Sequence, residues 1–195
     1  MIDFDLDNLK PGGRFEQCNL DGVNLNRYDL DDATFTGCTF RNATLVNADL
    51  TSTSFSNCDF SGARLAGANL FGAVFDTCKL LGVAFHDGLT LTAVRFDHCM
   101  LDLTNFRGVA LRKMVFDRCS FREADLSDAD LRSTVFRSCD LTSARIHGAK
   151  FGKTDLRGSD LAGWNVRTEE LAGTIMDPDQ FLSLAQAIGI SIMIV

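Results

Sequence analysis

The chain has 195 residues, a net charge of −7 and a pI near 4.8, and 46% of its residues are apolar. It contains no run of about 18 apolar residues, so a membrane-spanning helix is excluded, and its acid excess argues against non-specific contact with nucleic-acid phosphates, which needs a basic surface. The opening Met-Ile-Asp-Phe-Asp-Leu has neither the basic region nor the apolar stretch of a secretory leader, so a cytoplasmic protein with no membrane contact and no direct nucleic-acid contact is expected.

Residues 1–12 read as an N-terminal cap. From Phe15 to Phe85 every fifth residue is Phe or Leu. The phase slips by one residue within His86-Asp87-Gly88-Leu89-Thr90, resumes at Leu91 and runs on to Leu171, where only Ile146 and Val166 depart from Phe or Leu. Two residues before most centres stands a small or β-branched residue, as at Ala33, Ala43, Ala48, Cys58 and Ala63, and Gly often recurs two residues after the centre. A period of five fits neither a helix nor a flat strand. It requires a short extended piece and a bend in every repeat, and Gly, Asn and Asp after the centre supply the bend.

All seven Cys share one register, at 18, 38, 58, 78, 99, 119 and 139, and three residues before each stands a Phe. The step of 20, with one of 21 across the slip, predicts a four-sided coil in which Cys and Phe form two internal columns. The 32 centres then make eight coils, a rod of about 38 Å at the β-spacing of about 4.8 Å. The slip is either a solvent-exposed bulge or a contact point. Tyr28, Met114 and Trp164 replace small residues, the first two widening the core and Trp164 plugging the end of the rod.

Asp177-Pro178-Asp179-Gln180 reads as an N-cap with Pro at the first helical position and Gln three residues after the cap. Phe181, Leu184, Ala185 and Ile188 follow with helical spacing and Gly189 ends the helix. An apolar β-former from Ile190 through Ile192 and Ile194 closes the chain. Residues 174–195 therefore cap the rod, and two roles stand open: a purely intramolecular cap, or a homodimer interface made by Phe181, Leu184, Ala185, Ile188, Ile190, Ile192 and Ile194.

Catalytic, cofactor and metal chemistry find no motif. Inward thiols in an apolar core are inert, no C-x-x-C pair exists, and His86, His98 and His147 form no known constellation. We expect no catalytic, cofactor-binding or metal site. The acids are uneven: residues 1–90 carry 12 acidic and 6 basic side chains, residues 91–195 carry 14 and 13. Asp76, Asp97 and Asp117 share one outward register, and Asp29, Asp31, Asp32 and Asp49 cluster near the N-terminus. These seven are the candidate partner-binding residues.

Ala48-Asp49-Leu50, Ala68-Asn69-Leu70, Ala124-Asp125-Leu126 and Ala129-Asp130-Leu131 match the A(D/N)LXX signature, so residues 13–173 resemble the pentapeptide-repeat proteins. The resemblance implies an all-β solenoid, a right-handed quadrilateral β-helix with four pentapeptides per coil. A rod of this length with a C-terminal helix is similar to the Qnr and MfpA quinolone-resistance proteins and their albicidin-resistance relative. They bind DNA gyrase or topoisomerase IV by DNA mimicry and join end to end through C-terminal segments. The chain lacks the large loops of the Qnr branch. The resemblance thus implies a protein that protects gyrase or competes with DNA for it. The other reading is a scaffold for a regulatory partner that is not a topoisomerase. Duplex DNA would carry about 22 charges over this length, so mimicry with a net charge of −7 is local.

Overall fold

In a computed structural model, described here for residues 6–85, 89, 91–164, 166, 168–187 and 189, each five-residue repeat forms one side and one corner of a parallel β-solenoid. Seven three-residue strands line one side: β1 Arg14–Glu16, β2 Thr34–Thr36, β3 Ser54–Ser56, β4 Val74–Asp76, β5 Arg95–Asp97, β6 Val115–Asp117 and β7 Val135–Arg137. They pair in sequence order, all parallel, with Phe15 beside Phe35, Phe35 beside Phe55 and so on. Single bridges such as Asn19↔Thr39, Asn24↔Thr44 and Asp29↔Asp49 stitch the other three sides at the same step. Four sides of five residues account for the twenty-residue register.

Most corners are closed by a bond from the amide three residues after a centre to the carbonyl of that centre, as from Ala33 N to Leu30 O at 3.1 Å and Ala48 N to Leu45 O at 3.1 Å. The residue before the donor has a positive φ, 56° at both Asp32 and Asn47, which is the geometry of a type II turn. Gly holds some of these corners. Others force Asn, Ser, Lys and even Leu103, at φ 57°, into the left-handed region, at a cost of about 1 kcal/mol each.

The corner after the Phe of each strand β1–β7 differs, and Cys is the reason it can. Among the described residues no amide three residues on bonds to the carbonyl of these seven Phe, whereas Ala43 N and Ala63 N do close the corners after Phe40 and Phe60. The thiols of Cys38, Cys58 and Cys78 donate instead to the carbonyls of Phe15, Phe35 and Phe55 in the preceding coil, at 3.4–3.5 Å. The Cys18 amide in turn donates to Cys38 Sγ at 3.4 Å. Ser159 takes the same place at the end of the column, donating to Phe136 O at 3.0 Å and accepting from Cys139 N at 3.0 Å. The Cys column is a hydrogen-bonded spine as well as small-residue packing. Burial pushes the thiols of Cys139 and Cys18 up to about 12 and about 11, so both are protonated donors at neutral pH.

Beside the spine the Phe rings stack along the axis, Phe35 on Phe55 at 5.3 Å and Phe40 on Phe60 at 4.5 Å, and meet edge to face across it, Phe55 on Phe60 at 4.9 Å. Such pairs add about 0.5–1.5 kcal/mol each to the burial of the rings.

Two departures from strict repetition matter. The periodicity counts eight coils, but seven regular strands form among the described residues. The eighth side, around Leu156, is held by single bridges, Val135↔Asp155 and Asp155↔Ile175, and its corner is closed by the turn bond from Ser159 N to Leu156 O at 3.1 Å that the other seven lack. The second departure follows the slip. His86, Asp87, Gly88 and Thr90 lie outside the described residues, but the coil that follows them makes fewer rungs to the next one. Leu111 N reaches Asp130 O at 2.9 Å, yet no such bond joins Leu91 N to Ala110 O. The rungs Ala93 N to Arg112 O and Val115 N to Val94 O are missing too, and β5 pairs with β6 over two residues instead of three.

The helix α1, Pro178–Ala187, closes the end of the rod. Asp177 N donates to Gln180 Oε1 at 2.7 Å, the reciprocal arm of a capping box. Gln180 Nε2 donates to Leu156 O and Ser159 O, and Asp177 Oδ2 accepts from Gly158 N, all within 2.7 Å, so the cap is tied to the last coil. Trp164 is buried under it, its Nε1 donating to Leu141 O at 2.8 Å.

Candidate functional site

The rod is filled, so partners meet only its outer faces. Strand register places Asp76 beside Asp97 and Asp97 beside Asp117, one coil apart on the β1–β7 side. Carboxylates at that spacing repel, and the structure relieves the repulsion locally. Arg118 donates to Asp117 at 2.8 Å and holds its carboxyl below the usual range. Arg95 pairs with Asp97 at 3.0 Å, and His98 Nδ1 lies 3.7 Å from Asp76. The column ends where Asp117 meets Arg137. These three acids are in line, but they are not a stripe of free negative charge.

The N-terminal acids lie on a neighbouring side and at its corner. Asp29 and Asp49 are bridged one above the other, and Asn69 continues the stack. Asp29 accepts the Asp31 amide at 3.2 Å, Asp49 accepts the Thr51 amide at 3.0 Å, and Asp32 occupies the left-handed corner. No ion pair joins any of these four to a cation among the described residues, and Asp29 and Asp32 are exposed. This is a group of four acids with no ion pair among the described residues. Its carboxylates act as hydrogen-bond acceptors and as a field for a cationic partner.

The same side reverses sign toward the other end of the rod. Arg112, Lys113, Arg132, Lys150 and Lys153 occupy its outward and corner positions in later coils. The even balance of acids and bases in residues 91–195 hid this separation, which appears only when the five-residue phase is used to sort charges by side.

Of the expected dimer contacts, Leu184 and Ala185 are buried within the chain, Leu184 as part of the core. Both lie on α1, so neither side chain is exposed on the single chain. Phe181 is 54% exposed. Ile188, Ile190, Ile192 and Ile194 lie outside the described residues. Among the described residues no His, Cys, Asp and Glu group could hold a metal ion, and no helix is long and apolar enough to cross a membrane.

A family model described as a pentapeptide repeat region matches residues 13–85 and 89–166. The comparison with curated proteins gives no match. Among solved structures, the chain is similar to HetL, a pentapeptide repeat protein involved in heterocyst differentiation regulation from the cyanobacterium Nostoc sp. strain PCC 7120. The TM-score is 0.68 at 26% identity, over 82% of this chain and 73% of HetL. A trypsin-treated variant of QnrB1, a plasmid-mediated fluoroquinolone resistance protein, gives a TM-score of 0.71 at 24% identity, over 94% of this chain and 91% of QnrB1. Full-length QnrB1 gives 0.69 at 23%, over 92% of each chain. At that identity the likeness to QnrB1 is one of fold.

Proposed function

The chain belongs to the pentapeptide repeat family, and on that premise we propose that it is a non-enzymatic protein-binding solenoid that presents acidic side chains to DNA gyrase or topoisomerase IV and protects the enzyme against inhibitors such as quinolones. The observation that carries the reading is the uncompensated group of Asp29, Asp31, Asp32 and Asp49. A DNA-binding surface is basic, and a rigid rod of regularly spaced carboxylates suits it in the way a phosphate backbone does. Repeat scaffolds expose such a surface without the conformational cost of ordering it on binding. The fold shared with QnrB1 and the similar reach of the two chains support the same reading.

A second reading is a scaffold for a regulatory partner that is not a topoisomerase. It is favoured by the likeness to HetL, whose role is in the regulation of differentiation. A supercoiling assay separates the two. With purified gyrase, with and without a quinolone, micromolar protein is expected to inhibit supercoiling or to protect the enzyme from the drug. Neither effect at that concentration removes the topoisomerase reading and leaves the scaffold.

A further inference from the structure

A groove of about 1010 Å³ lies between Leu89 and residues 91–95 on one side and residues 107–110 and 112–115 on the other. Its rim carries Arg95, Arg107, Arg112, Lys113 and Arg137 against two carboxylates, Asp97 and Asp117. In a chain of net charge −7 this is a local inversion of sign. Its floor is apolar: Leu91, Val94 and Met114 are 5–9% exposed where most inward centres are 0%, and Val115 on the lip is 44% exposed. Three of the cations have carboxylate partners, Arg95 with Asp97 and Arg107 with Asp128 at 3.0 Å, and Arg112 with Asp130 at 3.3 Å. All three are more than half exposed, and exposed pairs of this kind exchange readily.

The walls carry a further signal. The rungs that fail here free the amides of Leu91 and Ala93 on one wall and the carbonyls of Ala110 and Arg112 on the other. Each set is spaced two residues apart, which is how a strand presents its groups to one neighbour. Donors and acceptors together suit a polypeptide backbone. A nucleic acid would use the cations but would meet the carbonyls as repulsion.

We propose that this groove binds an extended acidic segment of a partner protein, one whose acidic and apolar residues alternate. The segment adds a strand at the opened ladder. Its apolar side chains turn to Leu91, Val94 and Met114, and its carboxylates turn to the cationic rim, the division of labour by which strand addition combines affinity with specificity. This surface is distinct from the acidic one proposed for a topoisomerase, and the two stand or fall separately.

The test measures fluorescence anisotropy of a labelled Asp-Val-Asp-Val-Asp-Val peptide with the full chain. Binding is expected, weakened at least tenfold in the double variant Arg112→Ser, Lys113→Ser and at least tenfold when alternate peptide amides are N-methylated. Thermal melting of the variant confirms that it is folded. Deleting Gly88, which restores the twenty-residue step, is expected to close the ladder and abolish binding. Absence of binding to the unmodified chain overturns the proposal. So does equal binding of the N-methylated peptide, or of a single-stranded oligonucleotide of matching charge, because either reduces the groove to a patch for any polyanion. The Arg112→Ser, Lys113→Ser variant is expected to keep whatever effect the parent has on supercoiling, so failure of the topoisomerase reading is seen independently.

Discussion

Cys58 Sγ lies 3.5 Å from Phe35 O, one coil back and across a corner that no backbone turn bond closes. That contact explains why seven consecutive coils place Cys here, where other corners accept Ala. Where the turn closes itself, the inward small residue only has to be small. Where it does not, the side chain must act as donor and acceptor.

Replacing Cys58 by Ala therefore leaves the Cys38 amide without its acceptor and takes one of the donors from Phe35 O, and is expected to cost about 1–2 kcal/mol. Cys58→Ser, which copies Ser159, is expected to restore most of it. Urea unfolding of the two variants decides the matter, and equal losses would show that volume alone sets the residue.

The corner conformation gives a second expectation. Leu103 is exposed and held at φ 57°. Leu103→Gly removes a strained left-handed residue and is expected to be neutral or to stabilise by up to about 1 kcal/mol. The reverse change, Gly67→Ala, places a Cβ against Asn47 Oδ1 at φ +66° and is expected to destabilise by at least about 1 kcal/mol. A melting temperature that rose in Gly67→Ala would contradict this account of the corners.

Much of this was legible in the chain itself. A side chain must point inward once per side, so the five-residue spacing marks buried centres such as Leu50 and Phe116 directly. Asp177 and Gln180 announced their helix because capping is a local interaction. Other features depend on neighbours distant in sequence or on relaxation. The extra residue at 86–90 is visible, but the missing rungs lie beyond it, at Leu91 and Ala93. The column of Asp76, Asp97 and Asp117 was found by its phase. Its neutralisation was not, because Arg95 and Arg118 lie at other phases and fold over onto it. Leu184 and Ala185 follow an apolar helical spacing that looks the same whether its partner is the rod's own end or another molecule.

The two acidic groups are expected to differ in binding. Charge reversal of Asp29, Asp32 and Asp49 to Lys is expected to weaken gyrase binding at least tenfold. Reversal of Asp76, Asp97 and Asp117, of which Asp97 and Asp117 are already paired with Arg95 and Arg118, is expected to cost less. Surface plasmon resonance at two salt concentrations reads both. A larger loss from the second set would move the contact to the β1–β7 side.

Acid should unfold the rod over a defined window. Arg132 grips Asp130 through two bonds, at 2.8 and 2.6 Å, and holds its carboxyl at about 2. Asp21, Asp125, Asp140 and Asp155 are displaced in the same direction. A carboxyl depressed by folding contributes stability that is complete above its unfolded value near 4 and is lost as the pH falls toward 2. Melting temperature is expected to drop between pH 4 and pH 2, less steeply in Asp130→Asn. A flat profile over that range would show that these pairs contribute nothing.

Deleting residues 178–195 removes Gln180 and Leu184 from the last coil and uncovers Trp164. Fluorescence is expected to shift to the red, and melting is expected to start from that end. If the segment also joins two molecules, a dimer seen in sizing of the full chain gives way to a monomer. A dimer that survives the deletion would place the joint elsewhere.

The interrupted ladder also bears on how the molecule comes apart. A spiral in which each turn rests on the last transmits order along its length, and a place with missing rungs is a fault in that transmission. Loss of structure that starts at one end would pause there, leaving the other half as a separate cooperative block. A single inserted residue thus divides one continuous rod into two units that share an axis but need not melt together.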